Sequence, residues 1–82
     1  MPILVPHASL AALLGQASVS SNAHTVGELL AEVEARVTPE AWAKAMRCII
    51  LVNGRSVHLL QGFDTPLKPD DQVWMVFPAA GG

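Results

Sequence analysis

The sequence contains a single cysteine, Cys48, in 82 residues. One cysteine cannot staple a fold from within, so stability must come from packing. It is compatible with a reducing compartment, and the cytoplasm is the expected location. Charge is scarce as well: Asp, Glu, Lys and Arg make up 15% of the chain, with a net charge of −2. The five basic residues, Arg36, Lys44, Arg47, Arg55 and Lys68, are scattered along the sequence. They form no cluster, which removes the electrostatic case for binding nucleic acid. No apolar run approaches the roughly 20 residues of a membrane-spanning helix. The stretch from Met1 to Leu14 is apolar, but it has no Lys or Arg and is interrupted by Pro2, Pro6 and His7. A signal peptide is therefore not expected. Internal repeats and low-complexity segments are absent too.

What remains is an ordinary globular composition, with 51% apolar residues and too much apolar content for a disordered chain. The length fits one small domain that buries about 60% of its unfolded surface. Ile3, Leu4 and Val5, between Pro2 and Pro6, suggest a short first strand. Leu10, Leu13 and Leu14 recur at helical spacing, with Ser9 as the expected cap and Gly15 as the stop. Gln16–Ser21 suggests an edge strand around Val19. Thr25 and Glu28 have the spacing of a capping box. Behind them Val26, Leu29, Leu30, Val33 and Val37 form an apolar stripe, and Glu32 is placed to pair with Arg36 one turn on. Thr38-Pro39 starts a further helix expected to bury Trp42 and Met46.

Cys48–Val52 is a continuous apolar run and predicts a strand buried on both faces. Asn53-Gly54 is a strong hairpin signal, with Arg55–Leu59 as the expected return strand. Gly62, Pro66, Pro69 and the Asp70-Asp71 pair mark a loop. Val73–Phe77 predicts a central strand that Pro78 stops, so Phe77→Asp should place a costly charge in the core. Trp42 and Trp74 are both expected inside, with a place in a partner-facing patch as the alternative for Trp74. This order predicts an α+β fold, a mixed sheet with helices packed mainly on one face. Residues 1–77 form the expected single domain, and 78–82 a flexible tail.

The tail is chemically the most informative segment. After Pro78 come Ala79, Ala80, Gly81 and Gly82, none with a side chain larger than a methyl. Two terminal glycines arise by chance in roughly one chain in two hundred. The pair gains meaning from its position just beyond a buried strand. A slender tail can thread a narrow tunnel, and glycine lets a partner's backbone or cofactor approach closely. The terminal carboxylate is then open to activation by ATP as an acyl-adenylate, which a sulfur nucleophile can convert to a thiocarboxylate. Gly82 is the expected attachment point and Gly81 gives access to it.

Other residues carry weaker signals. Cys48 opens an apolar strand and is expected to be a core cysteine rather than a persulfide acceptor. His7, His24 and His58 lie far apart with no ligand spacing, so no metal site is expected. Asp70 and Asp71 are expected to make a turn. Phe63 and Leu67, in the loop beside the tail, are expected either to dock a partner or to pack under the loop. No nucleophile–base pair can be named, so a catalytic site of its own is not expected.

Several segments carry a family resemblance. Ile50-Leu51-Val52-Asn53-Gly54, Leu67-Lys68-Pro69-Asp70-Asp71-Gln72-Val73 and Phe77-Pro78-Ala79-Ala80-Gly81-Gly82 resemble the ubiquitin-like sulfur carriers, the molybdopterin-synthase small subunits and thiamine sulfur carriers. Ala8-Ser9-Leu10 and Leu13-Leu14-Gly15 are similar to the stretch after the first strand in the molybdopterin-synthase subunits. His7 stands where an aromatic residue is common in that family, and Ala79 where a second proline is frequent.

The resemblance implies a β-grasp fold with its first and last strands parallel and adjacent. It implies adenylation of Gly82 by an E1-like enzyme that uses ATP and Mg, then thiocarboxylation from a persulfide sulfurtransferase. It further implies docking into the larger catalytic subunit of a synthase in molybdenum cofactor biosynthesis. No cofactor, membrane or nucleic acid is implied for the chain itself. Phe63, Leu67, Phe77, Pro78, Ala79 and Ala80 are the expected partner contacts. The same tail also suits a protein modifier joined to lysines through Gly82, or a carrier for thiamine, cysteine or another thiolated metabolite.

Overall fold

The computed structural model describes residues 1–78. Five strands and three helices follow one another as β1 (Ile3–Val5), α1 (Ala8–Leu14), β2 (Val19–Ser20), α2 (Val26–Glu34), α3 (Pro39–Ala45), β3 (Ile49–Val52), β4 (Arg55–Ser56) and β5 (Gln72–Val76). The strands form one mixed sheet in the order β2-β1-β5-β3-β4. β1 and β5 run parallel, with Leu4 opposite Val73, while β3 and β5 are antiparallel, with Ile50 opposite Met75. This is the β-grasp arrangement, with the first and last strands adjacent and central.

The core lies between one face of the sheet and the helices. Leu4, Val73 and Met75 meet Leu10, Val26, Leu29 and Val33 there, all 2% exposed or less. α2 forms as its stripe predicts. Thr25 Oγ1 accepts the Glu28 N–H at 3.1 Å, while Glu28 Oε1 accepts the His24 N–H at 3.0 Å rather than that of the cap residue. The helix stops at Glu34, so Val37 packs against the core from the following turn. Thr38 caps α3, its Oγ1 accepting the Ala41 N–H, with Pro39 as the first helical residue.

Several local expectations are corrected. α1 begins at Ala8, and its cap is His7, whose Nδ1 accepts the Leu10 N–H. Ser9 lies inside the helix. Gly15 ends it with a φ of 71°, a left-handed conformation that glycine adopts without strain. Glu32 and Arg36 do not pair: Glu32 accepts from Ser21 Oγ, and Arg36 Nη2 donates to Gln16 Oε1 at 2.8 Å. The first contact ties α2 to the residue just after β2, and the second ties the turn after α2 to the segment between α1 and β2. After the Asn53-Gly54 turn the return strand lasts only two residues, because Ser56 Oγ accepts the His58 N–H and starts a 3-10 turn over Val57–Leu59.

The largest correction concerns the sheet's second face. β3 is not buried on both sides. Ile50 and Val52 are buried while Ile49 is 39% exposed, and in β5 Trp74 is 41% exposed between buried Val73 and Met75. Trp74 is therefore not a core residue, and Trp42 is only half-buried against the core.

Candidate site: the tail exit and the open sheet face

β5 is the strand that carries the tail, and the sheet holds it from both sides. Its entry is fixed by a turn. The Asp71 N–H donates to the Lys68 carbonyl at 3.0 Å, while Asp71 Oδ2 accepts the Lys68 N–H and Oδ1 accepts from Asn53 Nδ2, each at 2.8 Å. The Lys68 amide above all, with help from the Asn53 amide and the Lys68 charge, holds the Asp71 carboxyl below its ordinary value despite the opposing effect of burial. Asn53 Oδ1 also accepts the Gln72 N–H at 3.0 Å. The hairpin turn and the start of β5 are thus joined, as the Asp70-Asp71 turn expectation requires.

β5 leaves the sheet at Val76. Phe77, the next residue, is half-exposed on the helix side, and its ring lies against His7 with centroids 4.1 Å apart at 31°. The two rings, with Leu10, Leu13, Ala41 and Lys44, line a mainly apolar groove of about 390 Å³ between α1 and α3. Phe77 therefore belongs to the tail exit, not to a core strand. A charge placed there by Phe77→Asp stays in contact with water and costs less than a buried one.

The other flank of the exit is the open face of the sheet. Strand pairing sets Val5, Trp74 and Leu51 side by side across three strands, with Ile49 and Val76 in the next row. The remaining outward positions of the strands are Ile3, Ser20, Gln72 and Ser56, so none of them carries a charge. The Trp74 indole N–H donates to Gln72 Oε1 at 3.3 Å. An uncharged apolar surface with an aromatic at its centre has the composition of a protein-docking surface.

Phe63 and Leu67 stand elsewhere. The Leu67 N–H donates to the His24 carbonyl at 2.8 Å, and Pro66 bridges to Thr25 at the start of α2. Phe63 is half-exposed, with its backbone against Gly27, where an added Cβ would come within 3.1 Å of the Phe63 carbonyl oxygen. Leu67 lies just before the turn into β5 and Phe63 against the start of α2, and neither lines the groove beside Phe77. Of the expected partner contacts, the structure brings Phe77 and Pro78 together and sets Phe63 and Leu67 apart. Ala79, Ala80, Gly81 and Gly82 lie outside the described residues.

Cys48 is half-buried beside the core, and burial pushes its thiol up from the usual value, partly offset by a backbone hydrogen bond. A raised thiol value lowers the thiolate fraction and with it the nucleophilicity of the group. Among the described residues no group of three His, Cys, Asp or Glu side chains is placed to hold a metal. None of the described helices is long and apolar enough to cross a membrane.

A β-grasp domain with a fastened last strand, an apolar open face and a small-residue C-terminus defines a ubiquitin-like carrier or modifier. The model of the ThiS family matches residues 7–82. The chain belongs to that family of ubiquitin-like sulfur carriers. No curated protein sequence matches it significantly. Its fold is similar to CysO in the Amycolatopsis orientalis BexX/CysO complex, with TM-score 0.79 and 23% identity over 100% of both chains. Mycobacterium tuberculosis CysO, described as an antigen, gives TM-score 0.80 and 21% identity over 96% of this chain and 100% of that one. The small archaeal modifier protein 1 of Methanosarcina acetivorans gives TM-score 0.75 and 20% identity over 99% and 95%.

Proposed function

We propose that the chain is a sulfur carrier whose Gly82 carboxylate is adenylated and then thiocarboxylated, and that it serves as the small subunit of a molybdopterin synthase. The observation that carries this reading is the placement of β5. The strand is bonded on both sides and delivers Phe77 and Pro78 to the rim of an uncharged apolar face, four residues short of the Gly81-Gly82 end. A partner can grip the rigid domain through Trp74, Leu51 and Ile49 while the end enters its active site.

The chemistry belongs to the partners, and this chain supplies the reacting carboxylate. An E1-like enzyme with ATP and Mg brings a carboxylate oxygen onto the α-phosphorus, and pyrophosphate leaves. The terminal sulfur of a persulfide then attacks the acyl carbon and AMP leaves. A second thiol cleaves the resulting acyl disulfide and releases the thiocarboxylate. The larger synthase subunit next takes up the sulfur-bearing end. The half-buried lone cysteine suits the reducing cytoplasm, where these partners would work.

A second reading draws on the likeness to a small archaeal modifier protein, namely conjugation of Gly82 to lysines of other proteins. The same tail would also suit delivery of sulfur to thiamine, cysteine or another thiolated metabolite. The decisive experiment is intact-mass analysis after incubation with an E1-like enzyme, ATP, Mg and a persulfide donor. The expected result is a gain equal to one oxygen exchanged for sulfur, in the full chain and not in a chain lacking Gly82. Conjugates that survive denaturant and thiol, with no such gain, would favour the modifier.

A further inference from the structure

We infer that His7 is a positioning residue for the C-terminal tail, its ring clamping Phe77 and thereby setting the direction in which the chain leaves the domain. The inference rests on the carrier reading for its functional meaning, but its structural content stands on this chain alone. Phe77 lies one residue past the end of β5, so strand pairing no longer holds it. What lies against its ring is the imidazole of His7, with a centroid separation of 4.1 Å.

That imidazole is itself held at both nitrogens. Nδ1 accepts the Leu10 N–H at 3.3 Å, which caps α1. The ring proton must then sit on Nε2, which donates to the Ala45 carbonyl at the end of α3, at 3.1 Å. Two helices therefore fix the plane against which Phe77 rests. A phenyl ring at this position would offer the same face but neither bond. Glu40 and Lys44 are the charged groups lining the adjoining groove. The clamp itself uses ring stacking and two neutral hydrogen bonds.

The consequence for docking is entropic. A tail whose first residue is already oriented loses less conformational freedom on entering a partner. Chemistry at Gly82, five residues beyond Phe77, is aligned by the partner's own site. Loss of the clamp should therefore raise KM for the carrier and leave kcat unchanged.

Two substitutions separate the clamp from the cap. His7→Asn keeps a good helix cap but removes the ring and with it the bond to Ala45. His7→Phe keeps the ring but removes the cap and the bond to Ala45. In His7→Asn, which keeps the cap, the denaturation midpoint should fall less than in His7→Phe. Amide relaxation of the isolated chain should show greater mobility from Phe77 onward, and KM in thiocarboxylation should rise about three- to tenfold, the range that one aromatic contact spans. In His7→Phe the midpoint should fall, with Phe77 still ordered and KM within about twofold. The inference is overturned by unmodified order and KM in His7→Asn, or by KM following stability in both variants. Because relaxation is measured without a partner, absence of any mass gain in the unmodified chain would count against the carrier reading and leave the clamp to be judged on relaxation.

Discussion

Asp71 is a side chain whose role can be tested by pH. It closes the turn into β5 by accepting from Lys68 and Asn53, and its carboxyl is held below the ordinary value, with the Lys68 backbone contact the largest cause. A group whose pKa is lower when folded adds stability above its unfolded pKa, near 4, and loses that contribution as pH falls through the folded value. Asp71→Asn should thus cost less than about 1 kcal/mol near pH 7, because the site is partly solvated. The difference from the unmodified chain should shrink as the pH falls below the ordinary aspartate value and vanish once the carboxyl is protonated in the folded chain. Urea denaturation at neutral pH and in acid checks this, and an undiminished difference in acid would assign the effect to packing. The turn was legible in the sequence because Pro69, Asp70 and Asp71 mark it locally. His7 was not. Helix caps are normally read from Ser, Thr, Asp and Asn, so Ser9 drew the assignment that the His7 ring holds.

The same contrast recurs in whole elements. α2 and α3 were readable because their caps, Thr25 and Thr38, and their apolar spacing agree. β3 and β5 were placed correctly and misjudged in burial. Each is apolar at consecutive positions, and such a run reads as a strand covered on both faces. Yet the sequence offers three short helices, which the same reading put mainly on one face. Those two expectations conflict, and the conflict is the signal that would have revealed the open face: the surplus apolar residues, Ile49, Leu51, Trp74 and Val76, had to be exposed to a partner. Adjacent residues of β5 should consequently behave in opposite ways. Met75, 2% exposed, loses core packing in Met75→Ala at a cost of about 2–5 kcal/mol. Trp74→Ala should cost about 1 kcal/mol or less yet weaken docking, since exposed aromatics at the centre of such patches dominate binding energy. Chemical denaturation of both variants, beside KM for each with the activating enzyme, separates the roles. Equal stability losses would mean that Trp74 is a structural residue after all.

At the scale of the whole molecule, folding and the proposed sulfur transfer occupy different parts of one chain. The buried apolar core is complete by Met75, and the last strand ends at Val76. The group proposed to carry sulfur is the carboxylate of Gly82, six positions further on, with Gly81 giving access to it. Deleting both glycines leaves the core side chains and strands of the described residues in the chain, so the thermal midpoint should move by less than about 4 °C, the shift that 1 kcal/mol would give in a domain this size. The same deletion moves the terminal carboxylate back to Ala80. That shortens the tail by two residues, about 7 Å of reach, and puts a Cβ at the last position. The domain should still dock through its open face while the carboxylate falls short of the partner's reactive centre. The truncated chain is therefore expected to compete with the full chain for the activating enzyme and to show no oxygen-for-sulfur mass gain. A truncated chain that still gains sulfur would remove Gly82 from the mechanism, and one that melts well below the full chain would show that its end supports the fold rather than serving the partner.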